Sequence, residues 1–252
     1  MELEIAIISK QGGRSYNEDA CGHWNSDRHL CCVMADGAGG HGGGDIASKL
    51  AVQNVLNGFA AQPATTSPQL RELVVGTNHV ILDHRIDGTV QANMHTTVAL
   101  LAIDFIDHTA LWAHVGDSRV YWFRQGRIQT RTRDHSLVQA LADGGLIKPE
   151  DMRTHPKRSE LQSALGSPAE YLEVGVPEQA VAIEDGDVFL LCTDGLWEYV
   201  DDEVLEQSLI DAPSPQAWLD VLEATVLTNA AHKPSHDNFS ALTVWTSATP
   251  SA

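Results

Sequence analysis

Positive charge is scarce in this chain. Of its 252 residues, 16 are Lys or Arg and 34 are Asp or Glu, so the formal net charge is −18 with histidine neutral. Such a surface repels phosphate backbones and anionic headgroups, which argues against a nucleic-acid or membrane-surface binder. Long apolar runs are missing too: none approaches the roughly 20 residues that a membrane-spanning helix needs. Met1-Glu2-Leu3-Glu4 carries no basic region followed by an apolar stretch, so no secretory signal is expected. The four cysteines form no C-x-x-C pair, and Cys31, Cys32 and Cys192 sit inside apolar runs. They read as small buried hydrophobes in a reducing cytoplasm, without zinc or thiol chemistry. Internal repeats, low-complexity tracts and long linkers are absent, so one domain over residues 1–252 is expected. With 43% apolar residues the chain can bury a substantial core. The acidity itself admits two meanings, a soluble surface or carboxylates that hold metal.

Apolar spacing gives two helical stripes. Residues 43–60 align Ile46, Ala47, Leu50, Ala51, Val55 and Phe59, and residues 69–86 align Leu70, Leu73, Val74, Thr77 and Ile81. Ser67-Pro68 suits the start of the second as N-cap and first-turn proline. The period then shortens. Residues 29–35, 96–104, 109–116, 119–124, 127–131, 187–193 and 239–246 are short apolar, β-branched or aromatic runs bounded by turn residues, and Gln125-Gly126 predicts a hairpin. Further helix is expected over 202–211 and 215–230. Paired helices between groups of strands exclude a regular βαβ alternation. They predict an α+β fold of antiparallel sheets covered by helical hairpins. Residues 144–168 are polar and irregular, and read as a surface subdomain outside the core.

Four aspartates share an unusual setting. Asp36 and Asp194 each close an apolar run and precede Gly, Asp117 follows Val115-Gly116, and Asp237 stands just before the last strand. Strand ends hold side chains rigidly at one sheet edge. Unpaired carboxylates gathered there repel one another unless cations neutralise them. Oxygen ligands without Cys or paired His favour Mg²⁺ or Mn²⁺ over zinc. Two such ions about 3.5–4 Å apart lower the pKa of a water and stabilise in-line attack on phosphorus. Upstream, Arg14 shares a glycine-preceded loop with Glu18 and Asp19, and Arg can clamp a phosphate bidentately.

These residues fall into ordered motifs: R-x-x-N-E-D (Arg14 to Asp19), V-x-A-D-G-x-G-G-H (Val33 to His41), T-T-V (Thr96 to Val98), V-G-D-S-R (Val115 to Arg119), D-H-S (Asp134 to Ser136), C-T-D-G-L (Cys192 to Leu196) and D-N (Asp237, Asn238). The series resembles the bacterial branch of the type 2C (PPM) metal-dependent protein serine/threonine phosphatases, from about residue 5 to 246. The resemblance implies a four-layer α-β-β-α sandwich, two antiparallel sheets flanked by helix pairs, with residues 144–168 as a flap over the cleft. It implies that Asp36 bridges two ions (Mn²⁺ or Mg²⁺) with the Gly37 carbonyl beside it, and that Asp194 and Asp237 complete the pair. Glu18 and Asp19 would hold metal-bound waters, Arg14 the phosphate, and Asp117, Asp194 and Ser159 a weaker third ion. A bridging water would attack phosphoserine or phosphothreonine directly, with no covalent intermediate. Implied partners are phosphorylated proteins, among them a cognate bacterial Ser/Thr kinase and its substrates, met by a cytoplasmic monomer.

The sequence departs from the family in two places. Ala38 stands where animal members place a histidine proposed as general acid, and His95 where the family often has Gly. His41 reads as support for the loop–helix junction. The two departures keep a non-catalytic phosphoprotein binder in view, and the carboxylate chemistry alone would also serve a nuclease or small-molecule phosphoesterase. Intact metal-ligand positions favour an active phosphatase, and the missing basic groove counts against nucleic acid. The charge surplus further predicts, at low salt, a preference for phosphosites flanked by Lys or Arg.

Overall fold

Strands that are apolar at every position must be covered on both faces. In the computed structural model, which describes residues 2–38 and 42–247, they are. The chain runs β1 (Glu2–Lys10), β2 (Ala20–Asn25), β3 (His29–Ala35) and β4 (Gly37–Ala38), then α1 (Gly44–Ala61) and α2 (Ser67–Asp83). It continues with β5 (His95–Thr96), β6 (Val98–Asp104), β7 (Thr109–Val115), β8 (Arg119–Arg124), β9 (Arg127–Arg131) and α3 (Leu137–Asp143). After β10 (Val181–Ala182) and β11 (Val188–Cys192) come α4 (Asp194–Trp197), α5 (Asp202–Asp211), α6 (Pro215–Asn229) and β12 (Phe239–Ser247).

Two five-stranded antiparallel sheets result, ordered β1-β12-β11-β8-β9 and β10-β7-β6-β3-β2, with a small β4-β5 ribbon. The two-residue period sorts each central strand. On β3, Cys31, Val33 and Ala35 meet α1 and α2, while Leu30, Cys32 and Met34 face the other sheet. On β11, Val188, Leu190 and Cys192 face the α5–α6 layer, while Phe189 and Leu191 point between the sheets. The helices supply the matching stripes: Ala47, Ala51, Val55 and Phe59 on α1, and Trp218, Leu222 and Val226 on α6. The layers are therefore helix pair, sheet, sheet, helix pair.

The expected helices and longer strands occur, with shifted ends. The second helix spans Ser67–Asp83, and its cap is Thr66, one residue earlier than expected: Gln69 Oε1 accepts from the Thr66 amide at 3.1 Å. Ser67 Oγ instead donates to the Pro177 carbonyl at 2.6 Å, tying the helix start to the chain before β10. Gln125 and Gly126 both have positive φ, 53° and 72°, the two-residue hairpin geometry that the Gln-Gly pair suggested. β1, β2, the ribbon, β10 and α3 were not visible as separate signals. Residues 144–168 are less peripheral than expected. Met152, Ala164 and Leu165 are buried, and Leu165 exchanges two backbone hydrogen bonds with Thr96 (2.8 and 3.1 Å). The four cysteines are unbridged, and burial pushes the Cys192 thiol up to about 12.

The inter-sheet layer should dominate stability. Phe189→Ala is expected to cost about 3–5 kcal/mol in urea unfolding with an unchanged m-value. A cost below about 1 kcal/mol would mean that the sheets do not depend on this contact.

Candidate metal centre

Five carboxylates line one cleft of about 350 Å³: Glu18, Asp36, Asp117, Asp194 and Asp237. Arg14, Gly37, Ala38, Ser159 and Asn238 border it as well. Each strand end contributes. Asp36 follows β3, and its backbone is locked from three sides: its N–H donates to Thr97 Oγ1 (2.9 Å), and its carbonyl accepts from the Thr97 amide (2.8 Å) and Thr96 Oγ1 (2.8 Å). Gly37 needs its missing side chain, because a Cβ there would collide with the Gly44 carbonyl at the start of α1. Asp194 opens α4 at the end of β11. Asp117 sits in the turn between β7 and β8, and its carbonyl accepts from Trp197 Nε1 at 2.9 Å.

Asn238 organises the near wall. Its Nδ2 donates to the carbonyls of Gln11 (2.6 Å) and Tyr16 (3.0 Å), and its Oδ1 accepts from the Glu18 amide (2.9 Å). One side chain thus fixes the loop that carries Arg14, Glu18 and Asp19. Asp19 lies behind the cleft wall, with Oδ2 accepting from Ser240 Oγ (2.7 Å) and Thr193 Oγ1 (3.0 Å). Arg14 Nη2 donates to Asp237 Oδ2 at 2.6 Å. Arg14 is the only basic side chain lining the cleft among the described residues. Ser159 reaches the cleft from the flap, whereas His95 lies in the ribbon beside it. His41 lies outside the described residues.

The electrostatics are those of a site short of positive charge. Burial first, then Asp19 and Asp194, pushes the Asp36 carboxyl far above its ordinary value. Asp194 is raised in the same way by burial and Asp117. Burial lifts Asp19 and Asp117 to about 7 each, from an ordinary 3.8. Three buried oxygens, Glu18 Oε1, Asp19 Oδ1 and Asp194 Oδ1, accept no N–H or hydroxyl hydrogen bond among the described residues. Orphaned buried carboxylate oxygens cost free energy that a divalent cation recovers, so this donor set fits hard ions. Among the described residues no three acidic, His or Cys side chains already converge on one ligating point, and Asp237 is turned onto Arg14.

Comparison with known proteins identifies the cleft's lineage. A family model described as Protein phosphatase 2C matches residues 9–234. The chain belongs to the protein phosphatase 2C family. It is 32% identical over 202 residues to "Protein phosphatase PhpP" of Streptococcus pneumoniae, covering 77% of this chain and 79% of that protein. The crystal structure of the Mycobacterium tuberculosis serine/threonine phosphatase PstP/Ppp superimposes with a TM-score of 0.81 at 30% identity, over 98% of this chain and 99% of that one. A structure of the PstP catalytic domain in complex with two manganese ions gives a TM-score of 0.78 at 28% identity, over 98% and 99%.

Two supporting groups lay outside the residue-by-residue reading. Asp134, in the D-H-S motif, pairs bidentately with Arg119 (2.7 and 2.8 Å) in the core, and the guanidinium lies 3.6 Å over the Trp197 ring. Trp197 in turn holds the Asp117 carbonyl, so the motifs around Asp117 and Asp134 serve one buried stack. Asn238 was read only as half of D-N. Its reach to residues 11–18 has no local sequence signal, since the partners lie more than 200 positions away.

Metal should matter most at high pH. The folded protein keeps the Asp19 and Asp117 carboxyls protonated up to about 7, whereas the unfolded chain releases those protons near 3.8. The folded state therefore binds more protons between those values, and this cleft loses stability as pH rises through that window. Cations bind the ionised carboxylates and reverse the loss. Adding Mn²⁺ to EDTA-treated protein is expected to raise Tm by about 4 °C or more at pH 8 and by far less at pH 5. An equal rise at both values would contradict this account.

Proposed function

We propose that this cleft hydrolyses phosphoserine and phosphothreonine in proteins using two divalent ions, Mn²⁺ or Mg²⁺, in a core site and a third in a weaker one. Family membership makes the chain a metal-dependent protein serine/threonine phosphatase; the residue roles are inferred from the cleft. Asp36 would bridge the core ions beside the Gly37 carbonyl, with Asp194 and Asp237 completing their shell. Glu18 and Asp19 would act through ordered water. Asp117, with Asp194 and Ser159, would hold the third ion. The observation that carries this reading is the trio of orphaned oxygens on Glu18, Asp19 and Asp194, in a cleft bordered by one arginine.

Bound there, divalent ions supply a water of lowered pKa and neutralise phosphoryl oxygens. The chain's own groups do the rest. Arg14 exchanges its bond to Asp237 for the phosphoryl oxygens, which frees Asp237 as a ligand and orients the monoester. Thr96 and Thr97 keep Asp36 from swinging as charge develops. Ala38 presents only a methyl group, so that position cannot protonate the departing seryl oxygen. The likeness to bacterial enzymes named serine/threonine phosphatases supports a role opposite a Ser/Thr kinase, and the proposed enzyme would act there as a cytoplasmic monomer.

Asp36→Asn and Asp194→Asn should each lower kcat/KM on a phosphothreonine peptide with Mn²⁺ by about 100-fold or more, since even supporting residues around a metal site cost 10–100-fold. Turnover within a few-fold of the parent protein would remove the assignment. Arg14→Ala should raise KM about tenfold and lower kcat less, in steady-state kinetics. A pure kcat loss would contradict the clamp.

A further inference from the structure

A second pocket, of about 310 Å³, opens beside the phosphatase cleft and shares Ala38, Ser159 and Leu161 with it. Its other walls come from the β4–β5 ribbon and the flap and include His95, Gln162 and Ser167. In a chain of net charge −18, and beside a cleft lined by five carboxylates, this pocket has no acidic side chain in its lining among the described residues. The side chains of Ser159 and Gln162 are exposed there and make no hydrogen bond among the described residues, so their donors are free.

Behind His95 stands Arg85. Its Nη2 donates to the Met94 carbonyl (2.8 Å) and to His95 Nε2 (3.0 Å). A guanidinium has no acceptor, so Nε2 carries the lone pair, and Nδ1–H is left to donate to the Asn93 carbonyl (3.3 Å). His95 is therefore the neutral tautomer, consistent with burial and Arg85 holding its pKa below the ordinary value. Arg85 forms no ion pair among the described residues, and its buried Nε has no partner. A guanidinium with no carboxylate partner among the described residues, behind a neutral imidazole, places a positive charge on this side of the pocket.

We propose that the pocket receives an anionic side chain of the substrate, next to the phosphoresidue being hydrolysed. Ser159 and Gln162 donate to it, and the Arg85 charge reaches it across His95. The inference rests on the phosphatase reading of the adjoining cleft. It also separates two electrostatic effects. The net charge of −18 steers basic segments from a distance and is screened by salt, whereas the pocket selects one anion at one fixed position.

The test is kcat/KM with Mn²⁺ at 0.15 M salt on phosphothreonine peptides in which Glu, or a second phosphothreonine, replaces Ala at each position from −3 to +3. One position is expected to gain about fivefold with Glu, the scale of a single partly exposed charge interaction. Whether the second phosphothreonine gains more at that position tells a carboxylate source from a phosphoryl one. In Arg85→Gln the Glu/Ala ratio at that position should fall to about one. In His95→Ala, which uncovers the guanidinium, the ratio should stay at or above that of the parent protein. Because each readout is a ratio within one protein, partial loss of folding or metal cancels. A flat scan, or a ratio untouched by Arg85→Gln, would overturn the proposal. Failure to turn over any phosphopeptide would instead count against the phosphatase reading.

Discussion

Mutual repulsion among carboxylates that the fold forces together is the constraint on which the rest depends. Burial raises Asp36, Asp117 and Asp194, neighbouring carboxylates raise each further, and three oxygens of the cluster find no donor among the described residues. A flexible chain would relieve this by moving them apart. Here the strand ends cannot move, because β3, β6 and β11 are packed on both faces. Stability earned in the sheets is what keeps an unfavourable constellation assembled, the usual relation between a rigid scaffold and a strained functional site.

The supporting contacts follow from the same need. Thr96 and Thr97 hold Asp36 by its backbone and leave the carboxyl free. Trp197 does this for Asp117 through its carbonyl. The buried Arg119–Asp134 pair lies behind the cleft, where Arg119 donates to Asp134 and Tyr121 and the two opposite charges act on Asp117 in opposite directions. The side pocket differs in kind: there the cation, Arg85, is the group without an ion-pair partner among the described residues.

Legibility in the sequence tracked how local the causes were. Asp36 and Asp194 stood out because an apolar strand stopping at Asp-Gly is a short-range pattern. The α1 and α2 stripes stood out because four-residue spacing is local too. The α2 cap was misplaced by one residue because Thr66 and Ser67 are both good caps, and only the contact of Ser67 with Pro177, far along the chain, decides between them. The edge strands β1 and β2 escaped because one face of each is exposed, which thins their apolar signal. The burial of Leu165 escaped because it depends on pairing with Thr96. His95 was visible as a departure, but its charge state and its arginine were not.

The pairing of β1 with β12 sets the order in which the cleft can close. Glu2 lies opposite Ser247, and Asn238 grips a loop near residue 16. The wall that carries Arg14 and Glu18 therefore cannot close until strand β12, more than 200 residues further along the chain, has been placed between β1 and β11. Such distant contacts form late and slowly. A chain without β12 has no complete anion clamp, because Asn238 is what holds the Arg14 loop. Competence to act on phosphoproteins thus waits on one strand, the one that closes the clamp from the far side.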